Sequence, residues 1–214
     1  LLRWRGLYDS PFCNSTVIFR RSLLRDPGVR YNESLKYSID YDFWAQLLSL
    51  TRGTALAAPC AVYRVHGEGV TGAHREQQEW DATSVSVRQV KQLLPKSGHS
   101  DVELAAFRET VLSLYRRETL PIDEPLMRRY ALVLEAALVL CARPGVAVRQ
   151  VAGELRPLVK HMLARLARGQ LPAARRTGLL RGMLRLAPGT VVWNGLGRAA
   201  RRQIRNKNFE SRNS

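Results

Sequence analysis

The stretch that most constrains this chain is Tyr37-Ser-Ile-Asp-Tyr-Asp-Phe-Trp-Ala-Gln-Leu-Leu48. Two carboxylates, Asp40 and Asp42, stand at the head of an apolar run carrying Phe43, Trp44, Leu47 and Leu48. Apolar side chains at i, i+3 and i+4 share one face of a helix, so the spacing predicts a short amphipathic helix over Asp40–Arg52. Asp40 suits its N-cap or first turn, where unpaired backbone N–H groups favour a negative side chain. Gly53 suits the stop just past its end. A loop-to-helix corner of this kind gives a carboxylate both access and rigidity, which is what acid–base chemistry needs. Capping alone is the commoner use of such an acid.

The flanking blocks narrow the choice. Upstream run Asn14-Ser-Thr-Val-Ile-Phe-Arg-Arg-Ser-Leu-Leu24 and Gly28-Val-Arg-Tyr-Asn-Glu-Ser-Leu35. Downstream come Ala58-Pro-Cys-Ala-Val-Tyr-Arg-Val-His66 and Gly67-Glu-Gly-Val-Thr71. In this order and spacing, residues 11–71 resemble the acceptor-side half of family-2 glycosyltransferases with the GT-A fold. That family shows an apolar strand ending in Phe-Arg, a Gly-x-Tyr/Phe-Asp-Glu-x-Leu segment, a Glu-Asp-Tyr-Asp-Leu-Trp helix start and a Tyr-Arg-x-His strand end.

The resemblance implies an α/β fold for residues 1–74, a partial GT-A region of short strands with helices, followed by an all-α helical extension. It implies sugar transfer from a nucleotide-sugar donor to a glycan or lipid-linked acceptor, with inversion. Asp40 falls on the family's base, while Ile39 replaces the glutamate that usually precedes it. Asp42 falls on the second acid of the block, a structural or acceptor-binding position, and Trp44 on an acceptor-binding one. His66 matches a histidine that ligates a divalent metal (Mn or Mg) or contacts the diphosphate, and Arg64 beside it is expected to hold phosphate or a nearby carboxylate. Without the resemblance, His66 reads as a strand-end residue bonded to backbone and Arg64 as a surface cation. Asp40-Tyr-Asp42 also spells D-x-D, the family's metal string, but it aligns with the helix-start block and is not assigned to the metal. The nucleotide-binding half precedes this region in the family, and the chain begins at Leu1 rather than Met, so processing, truncation or a partial reading frame is expected to have removed the start.

Charge separates the two halves. Of a net +16, residues 151–214 carry +12, with 14 Lys and Arg against Glu154 and Glu210 alone. A basic tail of this kind points to an anionic partner, such as a membrane surface. Nucleic acid is disfavoured, because no stacking aromatics or reader motif accompany the charge. Cys13, Cys60 and Cys141 leave one cysteine unpaired in any disulfide scheme, and with the four histidines they form no zinc-like pattern. A reduced, cytoplasmic setting follows, peripheral to the inner face of the cell membrane. No apolar run reaches the roughly 18 residues that would mark a membrane span.

Along the chain, Thr16–Arg20 is rich in β-branched residues and reads as a strand, and Ala55–Val65 as a second extended segment. Arg21–Asp26 reads as one or two helical turns before Pro27-Gly28. From about Glu76 the pattern turns helical: 76–94, Val102–Glu118, Pro125–Ala142, 147–168, 173–186 and 190–205, with Pro95, Pro121 and Pro144-Gly145 as breaks. The organisation expected is therefore a transferase-like region at 1–74, a basic helical extension at 75–205 and a disordered tail at 206–214. The arginine-flanked apolar faces at 158–171 and 173–186 suit an interfacial helix on anionic lipid or helices packed on one another. Two functions follow: the C-terminal portion of a cell-envelope glycosyltransferase, or a non-catalytic basic module binding a membrane surface or partner protein.

Overall fold

The computed structural model describes residues 1–25, 29–62, 74–116, 118, 124–146, 148–167 and Met183. Its helices are α1 (Leu2–Arg5), α2 (Ile39–Leu50), α3 (Arg75–Leu93), α4 (Asp101–Arg116), α5 (Glu124–Cys141) and α6 (Val148–Ala167). Short 3-10 turns lie at Asn14–Thr16 and Arg21–Arg25.

Among the described residues there is no β-strand, which corrects the expected α/β, partial GT-A region. Asn14–Thr16 forms a 3-10 turn, and residues 17–20 continue without regular structure. The 55–62 segment is likewise irregular, and residues 63–65 fall outside the described residues. The physical reason is the lack of a partner. A strand is held by ladder bonds to a neighbouring strand, and β propensity measures fit to such a surface rather than an intrinsic backbone preference. Ile18 is 99% exposed, so no sheet face among the described residues receives it.

The chain divides into two compact units. One comprises Leu1–Thr119 with Val139–Val146, the other Leu120–Leu138 with Ala147–Ser214. Helices α3 and α4 thus belong to the same unit as α2.

In the first unit, α2 is the central element. Tyr41 and Ala45, one turn apart, pack with Leu35 and with Ala82 and Val85 of α3. Phe43, Trp44 and Leu47 pack on Val29, with Phe12, Val17, Leu23 and Leu24 against them. A helix apolar on more than one face is one enclosed by its surroundings. Its C-cap is Thr51 in extended conformation, so the helix ends before Gly53. Gly53 instead permits close packing, since a Cβ there would lie 3.1 Å from Leu2 Cδ1 and 3.2 Å from Leu48 Cδ2. Trp4 of α1 is fully buried and edge-on to Tyr8 and Phe107, at 5.9 and 6.1 Å between ring centres. Its indole N–H donates to Tyr115 Oη at 3.4 Å. Each such aromatic contributes about 1.5–3 kcal/mol by burial.

In the second unit, α6 buries Val151, Leu155, Leu158, Val159 and Leu163 at helical spacing and exposes Arg149, Arg156 and Lys160. Pro157 lies inside α6 on its exposed side and removes one backbone donor. The helices expected at 173–186 and 190–205, and the tail at 206–214, lie outside the described residues apart from Met183, which is helical and buried.

Candidate functional site

The start of α2 is anchored from α3. The buried Asp81 carboxylate accepts from the backbone N–H groups of Lys36 (2.9 Å) and Tyr37 (2.8 Å) through one oxygen. Its other oxygen accepts from Gln77 Nε2 at 3.2 Å. Burial pushes the Asp81 carboxyl up, but the hydrogen bonds from Tyr37, Gln77, Lys36 and Ser38 outweigh it and hold the group below its usual range. Ser38, the N-cap residue, makes no side-chain cap bond and instead donates through Oγ to Gln78 O at 3.1 Å. Tyr37 stacks on His74 at 4.8 Å between ring centres, and the Lys36 ammonium sits 5.4 Å from the Tyr37 ring centre. The loop-to-helix corner is thereby tied to α3 at three successive residues.

Asp40 occupies the first turn of α2, half-buried. Its Oδ1 accepts from the Tyr41 backbone N–H at 2.8 Å. Asp42, two residues on, is 0% exposed. One of its oxygens pairs with the Arg88 guanidinium of α3, and the other accepts from Gln46 Nε2 at 2.8 Å. Gln46 in turn bonds both backbone groups of Arg30, at 3.1 and 3.0 Å, fixing the preceding loop. Burial draws Arg88 down from its usual range. Tyr41 Oη donates to Gly6 O at 3.1 Å, and burial pushes that phenol well up.

Trp44 is buried and meets Phe12 and Phe19 edge-on, at 5.9 and 5.7 Å between ring centres. Its indole N–H has no hydrogen-bond partner among the described residues. The structure therefore brings Asp40 and Trp44, one turn apart, to one side of a single helix and Asp42 to the other. Arg64 and His66 lie outside the described residues. Among the described residues no group of three or more His, Cys, Asp or Glu gathers as metal ligands. The Asp42 carboxylate is already taken by Arg88 and Gln46.

Sequence reasoning missed Asp81 and Arg88, which it left within a helical extension. Asp81 carried a faint signal: it sits beside Ala82 and one turn before Val85, in the apolar stripe of α3. A carboxylate in a stripe of that kind needs partners. Arg88 carried none, because its partner is 46 residues away.

No protein-family model matches the chain, and no solved structure matches it. Over 92 residues, 43% of this chain, it is 25% identical to a protein of Haemophilus influenzae named an uncharacterized glycosyltransferase. The match spans 28% of that protein's length. The chain is thus related, in general terms and over this portion, to a glycosyltransferase. Among the described residues no helix is long and apolar enough to cross a membrane.

Proposed function

We propose that this chain supplies the acceptor side of an inverting, family-2-type glycosyltransferase that draws on a nucleotide-sugar donor. The observation that carries the reading is Asp40: a half-buried carboxylate on the first turn of α2, in a chain similar to a glycosyltransferase. The anchoring of residues 36–38 to α3 supports it, because a base must be held still relative to the proton it removes.

In this reading the acceptor hydroxyl oxygen attacks the anomeric carbon as its proton passes to Asp40. The bond from that carbon to the diphosphate oxygen breaks, and the electron pair leaves with the diphosphate. Asp42 holds the helix rather than the substrate, since Arg88 and Gln46 occupy both of its oxygens. Trp44 shapes the acceptor side through the aromatic group it forms with Phe12, Phe19 and Phe43. His66 and Arg64 are assigned to a divalent ion and to the diphosphate. Such an ion, when bound, offsets charge on the leaving group, and no step here runs through it. A glycan or lipid-linked acceptor and a peripheral seat on the inner membrane face belong to the same proposal. The exposed Arg149, Arg156 and Lys160 of α6 support them.

The test, with a nucleotide-binding half present, is transfer of labelled sugar from a panel of UDP-, GDP-, dTDP- and CDP-sugars to glycan and lipid-linked acceptors. Asp40→Asn is expected to lower the rate by about 10²–10⁴-fold with the circular dichroism and melting temperature unchanged. A variant as active as the wild type, or a wild type that transfers from none of the donors, overturns the proposal.

A further inference from the structure

We infer that a small cavity in the first unit is a binding site for an oxyanion, the phosphate or carboxylate group of a small molecule. The space open to the centre of a water molecule is about 60 Å³, room for a few waters at roughly 10–15 Å³ each. The cavity opens to solvent, and its inner space is enough for a single anionic group. Its polar lining is Arg3, Ser49, Gln89, Gln92 and Arg143, and no Asp or Glu lines it.

One of the donors is held in place, and none is committed to an acid. Arg3 Nε donates to Leu48 O at 2.7 Å, which holds the side chain in place and leaves its terminal nitrogens without a partner among the described residues. The guanidinium of Arg143 and the side-chain amide of Gln89, a residue only 9% exposed, likewise have no partner among the described residues. A third guanidinium stands close by. Arg52 lies over Gly145, where an added Cβ would come within 2.6 Å of its Nη2.

The last turns of α2, α3 and α5 also reach the cavity, through Ser49, Gln92 and Leu140. Each helix end carries roughly half a negative charge, which the two lining guanidiniums, Arg3 and Arg143, more than offset. The carbonyls of Leu47, Leu48, Val90 and Leu140 at those ends are already bonded, by Thr51 N, Arg3 Nε, Leu94 N and Arg143 N. The arginines and Gln89 are therefore left to face a ligand. Guanidinium forks match phosphate and carboxylate oxygens alike.

The site is independent of Asp40 and of the transfer reading. Inorganic phosphate and acetate, titrated into the whole chain at constant ionic strength and followed by calorimetry and amide chemical shifts, test it. Saturable binding is expected, weakened roughly ten- to a hundredfold by Arg143→Gln and unchanged by Arg149→Gln on α6. Tighter phosphate binding marks a phosphate ester as the natural source, and tighter acetate binding a carboxylate. Arg3→Gln also removes a bond to α2, so the exposed Arg143 is the deciding position. Failure of both anions to saturate, or equal effects of Arg143→Gln and Arg149→Gln, overturns the inference.

Discussion

Replacing Arg88 by glutamine is expected to cost the first unit more stability than replacing Asp42 by asparagine, although both changes break the same ion pair. The asymmetry follows from exposure. The Asp42 side chain is 0% exposed and that of Arg88 is 39% exposed. Once Asp42 is neutral, Arg88 turns toward water and recovers most of its solvation, while the asparagine oxygen still accepts from Gln46. The loss is then one charge-assisted hydrogen bond, about 1–2 kcal/mol. Once Arg88 is gone, Asp42 cannot reach water and keeps only the Gln46 amide. Stranding one member of a buried pair costs about 3–5 kcal/mol. Urea unfolding followed at the helical circular dichroism band gives both values, and the double variant completes the cycle. The double variant should be more stable than Arg88→Gln alone, because it removes the stranded charge. An Arg88→Gln cost below that of Asp42→Asn, or a double variant no better than the single, would refute the reasoning.

Asp81→Asn should flatten the acid limb of stability. The folded carboxyl lies below its ordinary value of 3.8, so its contribution is complete above that pH and is lost as pH falls through the folded value. Urea midpoints measured from about pH 5 to about pH 2 should therefore fall less steeply in the variant, and parallel curves would contradict the anchoring role. Trp44→Ala should cost about 3–5 kcal/mol and Trp44→Phe well under half of that, because the indole N–H has no described partner to lose. Equal costs would show that the N–H is bonded. Gly145→Ala should destabilise more than Gly98→Ala. Both glycines have positive φ, 76° and 67°, but only at Gly145 does the new methyl meet a neighbour, Arg52. Thermal melts of the two variants check this, and a larger loss at Gly98 would contradict it.

Periodicity and punctuation made the helices legible. The helix predicted over Asp40–Arg52 spans Ile39–Leu50, and that predicted over 147–168 spans Val148–Ala167. Acids at a start, and prolines and glycines at a stop, act within one turn and can be read locally. The strands expected around Thr16–Arg20 and Ala55–Val65 failed because pairing is non-local. Val17 does hold an extended backbone, yet extension alone makes no sheet. Asp40 was legible for the same local reason as its helix. The burial of Asp42 was not, since nothing near it in sequence announces the Arg88 that neutralises it, or the Gln46 contact that ties it to residue 30.

Asp40 and Asp42 also show why a D-x-D string means something different on a helix. Two residues of helix turn the side chain by about 200°, so the carboxylates point to nearly opposite sides and cannot close on one ion together. In α2 one faces inward to Arg88 and the other is half-buried, bonded among the described residues to its own backbone neighbour. The Arg88–Asp42 pair and the Asp81 anchor therefore act on the same variable, the rotation of α2 about its axis. A slip of one residue, about 100°, would take Asp42 out of its pocket and turn Asp40 away from where it now stands. The rotation that satisfies the buried carboxylate is the rotation that presents the half-buried one, and this links the stability of the first unit to the orientation of its candidate base.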